Sequence, residues 1–187
     1  VHIILAFFMF VGIIKTLKIK EIEADIAPPK TLRESVVEPF REFFARDGFK
    51  QGLLVLAFLF LYKIGDNMAT ALSTAFYLDV GFSLSQIGTV AKLVSLWAMI
   101  VGGFIGGLII FKVGINKSLF LFGIVQMITI LGFAVLNETG AILWVFAIVV
   151  GLEYLGVGLG ATAMAAFMAR ASNKSFTGTQ LALFTSF

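Results

Sequence analysis

The chain has 187 residues, 59% hydrophobic and 13% charged, with a mean hydropathy of +1.02 and a formal charge of +3. That composition leaves too little polar surface to cover a soluble globule of this length and places the chain among integral membrane proteins. The absence of cysteine excludes disulfides, thiolate metal sites and a cysteine nucleophile, and a single histidine, His2, cannot build a metal cluster, so no metal and no cofactor is expected.

The opening run, Val1 to Ile14, is too short to span a bilayer and lacks the basic leader of a signal peptide, so residues 1–14 read as the end of a preceding transmembrane helix. Val1 is not an initiator and the last apolar run is cut off at Phe187, so both ends read as truncated. Residues 15–50 are dense in charges of both signs and broken at Pro28-Pro29, the pattern of a cytoplasmic connector between two membrane bundles. Within it, Thr31-Leu32-Arg33-Glu34 has capping-box spacing, and Leu32, Val36, Phe40 and Phe43 recur at helical intervals. The pattern predicts a short amphipathic helix on the inner membrane face, bent at Pro39.

Four apolar runs follow within residues 51–187, at roughly 51–78, 87–111, 118–136 and 141–169, each long enough for a hydrocarbon core of about 30 Å. A fifth begins near Gln180. If the chain crosses at every run, segment 15–50 and the joints 112–117 and 170–175 share one side and hold twelve of the fourteen Lys and Arg residues. The opposite joints, 79–86 and 137–140, hold none. The basic side is therefore cytoplasmic, and the span beginning at Gln51 runs outward. Because the basic residues sit at helix ends, the pI near 9.3 implies the lipid bilayer as partner and no nucleic acid.

A charge at the centre of a membrane helix costs about 2.5–3.5 kcal/mol on insertion scales, so charges inside the spans are where function is sought. They are Lys63, Asp66, Lys92 and Glu153. Lys63 and Asp66 are neighbours on one helix surface, either a self-neutralising pair or part of a cavity that binds substrate or passes protons. Lys92 lies about six residues, roughly 9 Å, from the outer end of its helix, so it either snorkels outward or faces a central cavity. Glu153 is too deep for its short side chain to reach water, so it is either protonated or paired with a lysine on another helix, and both states suit a proton-coupled carrier. Asp79 and Glu138, at outer ends, read as solvated caps.

Gly102, Gly103, Gly106 and Gly107 contain overlapping GxxxG spacings, and Gly156 and Gly160 repeat the spacing beside Glu153, so close helix packing is expected at both. Gln126 and Thr129, three apart, either bond across helices or touch a substrate. Thr177 and Gln180 have capping-box spacing and are expected to start the fifth membrane helix. No nucleophile–base pair or paired carboxylates fall in a polar loop, which argues against an enzyme.

The joint Gly107-Leu-Ile-Ile-Phe-Lys112-Val-Gly114-Ile-Asn-Lys117 resembles the loop signature of the major facilitator superfamily, with Phe111 in place of the acidic residue and Ile115 in place of a base. Three further stretches, Leu61-Tyr62-Lys63-Ile64-Gly65-Asp66, Phe122-Gly123-Ile124-Val125-Gln126 and Ser172-Asn173-Lys174-Ser175-Phe176-Thr177-Gly178-Thr179-Gln180-Leu181-Ala182-Leu183, are similar to motifs of the AmpG-type muropeptide permeases. The resemblance spans the chain, from the end of helix 6 into helix 11. It implies an all-α membrane protein forming part of the C-terminal six-helix bundle of a 12-helix major facilitator fold. It also implies proton-coupled import of anhydro-muropeptides across the bacterial inner membrane for peptidoglycan recycling, with an N-terminal bundle of the same protein as partner. In that picture Lys63, Lys92 and Gln126 meet the substrate while Asp66 and Glu153 carry protons. The rival readings are a carrier of another bulky anion such as acyl-CoA and a non-transporting membrane scaffold or sensor.

Overall fold

The computed structural model describes residues 2–18 and 31–186, which form helices and turns. It divides into two units, Val1–Lys30 and Thr31–Phe187. The first contains helix α1 (His2–Lys18), apolar along its length and ending on Lys15 and Lys18. The expected break at Pro28-Pro29 lies outside the described residues.

In the second unit, α2 (Leu32–Arg46) starts where predicted: Thr31 is extended, and its hydroxyl accepts from the Glu34 amide at 3.2 Å. Pro39 sits inside the helix without ending it. Proline has no N–H to give the carbonyl four residues back, here that of Ser35. Thr179 fills that acceptor from outside the helix, its hydroxyl donating to the Ser35 oxygen at 3.0 Å.

Among the described residues, four helices are long and apolar enough to cross a membrane: α3 (Phe49–Val80), α4 (Leu84–Val113), α5 (Ile115–Thr139) and α6 (Leu143–Ala171). A short α7 (Thr177–Thr185) follows. Each span ends two or three residues past its apolar run, because the stop is set by backbone conformation at the joints, and α6 starts two residues inside its run. Gly81, at φ 108°, closes α3: its amide donates to Leu78 O at 3.0 Å, and the Phe82 amide donates to Tyr77 O at 3.0 Å. Such a left-handed stop suits glycine, and it folds Phe82 back beside Tyr77. Phe82 then stacks on Phe146 of α6 at 4.3 Å between ring centroids, with Tyr77 edge-on to the same ring at 4.8 Å. Ser83 and Gln86 form a capping box at the start of α4, followed by a π-helical turn, Ile87–Ala91.

The α4–α6 contact is the tightest in the bundle. Gly102 and Gly106 are buried against the backbone of Leu155 and Leu159, and Gly158 of α6 is seated on Met99 O and Gly103 N. A methyl group at Gly102 or Gly158 would run into backbone carbonyl oxygen, so these glycines set the approach of the helices. Thr162 seals the seam, its hydroxyl donating to Gly158 O at 2.9 Å and lying 3.3 Å from Gly103 O. Gly107 of the same run faces open space, and Gly156 and Gly160 serve a different face of α6.

Candidate functional site

Glu153 is 4% exposed, a carboxyl group in the apolar interior of the bundle. Burying such a group without compensation is prohibitive, so its partners define the site. The amide of Gln126 on α5 donates from Nε2 to Glu153 Oε1 at 2.9 Å. Gly156, one helical turn beyond Glu153, makes room: a Cβ there would fall 2.6 Å from Gln126 Oε1 and 3.2 Å from Thr129 Oγ1. Thr129 donates to the backbone oxygen of Gln126 at 3.1 Å and so makes a local bond, while Gln126 makes the interhelical one.

Helix α3 supplies the third wall. The ring of Tyr62 fits between Gly123 of α5 and Gly160 of α6, with its hydroxyl 3.2 Å from where a Gly160 Cβ would lie. Further along α3, Ser73 and Tyr77 meet Phe133, Glu153, Tyr154 and Val157 around a narrow crevice. Sequence reasoning gave Tyr77 no role, since an aromatic within an apolar run carries no mark of its role, and marked Tyr62 only as a member of the Leu61–Asp66 motif.

Of the expected site residues, Gln126 and Glu153 are brought into direct contact. Lys63 is half-buried on α3, one residue from Tyr62. Asp66 lies on the same helix, and its side chain is outside the described residues. Lys92 is exposed immediately after the π-helical turn of α4, and Ser95 bonds its backbone oxygen at 3.1 Å. Neither lysine makes an ion pair with another described residue.

A second polar cluster joins α2 to the α6–α7 joint. Arg46 grips Glu42 with two bonds, Nε to Oε1 at 2.9 Å and Nη2 to Oε2 at 2.7 Å. Asn173 Nδ2 donates to Glu42 Oε1, and Gln180 Nε2 to Glu42 Oε2, both at 2.7 Å. Gln180 Oε1 accepts from the Asn173 amide at 2.7 Å, and Arg46 Nη1 caps α6 by donating to Ala171 O at 3.0 Å. The bonds from Arg46, reinforced by Asn173 and Gln180 and opposed by burial, hold the Glu42 carboxyl down at about 2. Beneath the cluster, Phe43 packs edge-on against Phe184 of α7 at 5.3 Å.

This arrangement corrects the expected capping role of Thr177 and Gln180. Helix α7 has Phe176 at its N-cap position with no side-chain cap. Gln180 is 1% exposed and faces α2, and Thr177 bonds the backbone oxygen of Asn173 at 2.9 Å. The spacing that fits a capping box also places Gln180 on the buried side of the helix, and burial decides its partners.

The family signature of the Major Facilitator Superfamily matches residues 1–187. An uncharacterized protein of Haemophilus influenzae is 52% identical over 155 residues, which are 79% of this chain and 36% of that protein. The anhydromuropeptide permease of Escherichia coli K12 is 38% identical over 172 residues, 91% of this chain and 34% of the permease. A putative transporter of Rickettsia conorii named AmpG 4 is 35% identical over 152 residues, 81% of this chain and 36% of the transporter. The chain thus spans about a third of the length of these relatives.

Proposed function

The chain belongs to the Major Facilitator Superfamily, and from that membership we propose that it forms part of the C-terminal six-helix bundle of a carrier importing anhydro-muropeptides with protons by alternating access. The observation that carries this reading is the buried Glu153 carboxyl bonded to Gln126 across two helices at 2.9 Å. A neutral amide donor supports a carboxylate without cancelling its charge, which leaves the group able to take up and release a proton. The substrate follows the name of the Escherichia coli relative.

In this reading Glu153 and Asp66 carry protons, and Lys63 and Lys92 meet the carboxylates of the peptide. Gln126 commits one amide hydrogen to Glu153 and keeps its other hydrogen to offer substrate, while its oxygen packs against Gly156. The sequence 15–50 is the cytoplasmic connector, residues 1–14 end the helix before it, and the other bundle of the same fold supplies the facing wall of the cavity. The membrane is the bacterial inner membrane, with the basic joints on the cytoplasmic side. The test is uptake of labelled anhydro-muropeptide by cells that lack their own permease and express the whole protein containing this chain. Uptake that unlabelled muropeptide suppresses and coenzyme A esters leave unchanged supports the reading. Suppression by the esters alone points to another bulky anion, and no uptake points to a scaffold.

A further inference from the structure

The hydroxyl of Tyr77 is a buried polar group for which the proposed site has no use. Tyr77 is 3% exposed, its ring is fixed against Phe146, and its hydroxyl makes no hydrogen bond of ordinary length among the described residues. Ser73, a turn earlier on α3, lies beside it without bonding it at ordinary length, its own hydroxyl donating to Thr70 O at 2.8 Å. Buried hydroxyls are costly without a partner and in native proteins are commonly satisfied by ordered water. Tyr77 and Glu153 both line the crevice, which has room for about one water molecule. A carboxylate offers about four lone-pair positions, so Glu153 has the capacity to accept a bond from water beside the one from Gln126 and its other contacts.

We propose that a single water is held between the Tyr77 hydroxyl and the Glu153 carboxyl and that a proton reaches Glu153 through it, an inference that rests on the reading of the protein as a proton-coupled carrier. Tyr77 donates its O–H to the water oxygen, and the water donates to Glu153. A proton arriving on the water passes to the carboxylate and leaves neutral water in place, with Tyr77 unchanged. Tyr77 is therefore a positioning residue. Among the described residues, the titratable groups facing this point are Tyr77 from α3 and Tyr154 from α6, while α5 contributes the neutral Gln126. Lys63 and Asp66 lie nearer the start of α3, and Lys92 of α4 is exposed.

The test uses the whole transporter in liposomes. Infrared difference spectroscopy follows the carboxyl band of Glu153, assigned by its loss in Glu153→Gln, as pH is varied without substrate. Tyr77→Phe keeps every ring contact and is expected to move the midpoint of that titration by about half a pH unit or more. The pH profile of uptake is expected to move with it. Val157→Leu, which fills the crevice and leaves the hydroxyl in place, is expected to do the same and serves if the first variant fails to fold. An unmoved midpoint, or a pH range in which no Glu153 band titrates, overturns the inference. Because the band is read without substrate, failure of the unmodified protein to import muropeptide counts against the proposed function alone.

Discussion

The side-chain amide of Gln180 donates to the backbone oxygen of Pro39 at 2.9 Å, across 141 positions of sequence. The same amide bonds Glu42, and its oxygen receives the Asn173 amide, so one buried side chain ties α2 to the joint between α6 and α7. A helix held this way is docked on the bundle it touches.

Replacing Gln180 with alanine removes its bonds to Pro39, Glu42, Asn173 and Arg46 while leaving those partners in place. Each buried polar group left unsatisfied costs about 1–3 kcal/mol. The expected result is a loss of roughly 2 kcal/mol or more in α2 docking, read as faster hydrogen exchange of the α2 amides with α6 exchange unchanged.

The acid end of the pH scale tests the same cluster. The Glu42 carboxyl is lowered from 4.5 to about 2, so its contribution to docking is complete above the unfolded value of 4.5 and is lost as pH falls toward 2. Protease accessibility of α2 should rise across that window. In Glu42→Gln the contact should be weaker at neutral pH and show little further change on acidification.

The glycine seam yields a paired prediction. Gly102→Ala places a methyl on the Leu155 carbonyl oxygen, and overpacking of this kind typically costs about 1–3 kcal/mol. Gly107→Ala, with nothing within 4 Å of its Cβ, should be neutral or slightly stabilising. Thermal unfolding of the purified protein in detergent separates the two.

Gly156→Ala should reach the candidate site without touching a charged residue. Its methyl would fall 2.6 Å from Gln126 Oε1 and push the amide off Glu153. Uptake should fall about as far as in Gln126→Ala, with the amount of folded protein unchanged by size-exclusion chromatography.

The parts of this molecule that were legible in sequence are those that apolar runs and isolated charges mark. Glu153 stood out because nothing apolar explains a carboxylate so deep in a run, and Gln126 because it interrupts the neighbouring one. The pairing of the two was left open, since periodicity gives the face of each helix but not the rotation of one helix against another. Gly102 and Gly106 were read as a packing surface, but Gly158, their counterpart on α6, was not, because its register against Met99 depends on a contact across the chain. Tyr77 looked like any core aromatic. Gln180 was misread as a helix cap because local spacing ignores a partner 141 residues away. The π-helical turn before Lys92 left no sign in composition, and it changes which way the residues after it point.

Proton movement driven by substrate tests the role of Glu153 most sharply. The whole transporter is placed in liposomes loaded with a pH-sensitive dye, and anhydro-muropeptide is added outside. Acidification of the lumen is expected with the unmodified protein, and none with Glu153→Gln even though that variant still exchanges bound muropeptide. Equal acidification by Glu153→Gln and the unmodified protein would contradict the assignment of the proton to this carboxyl.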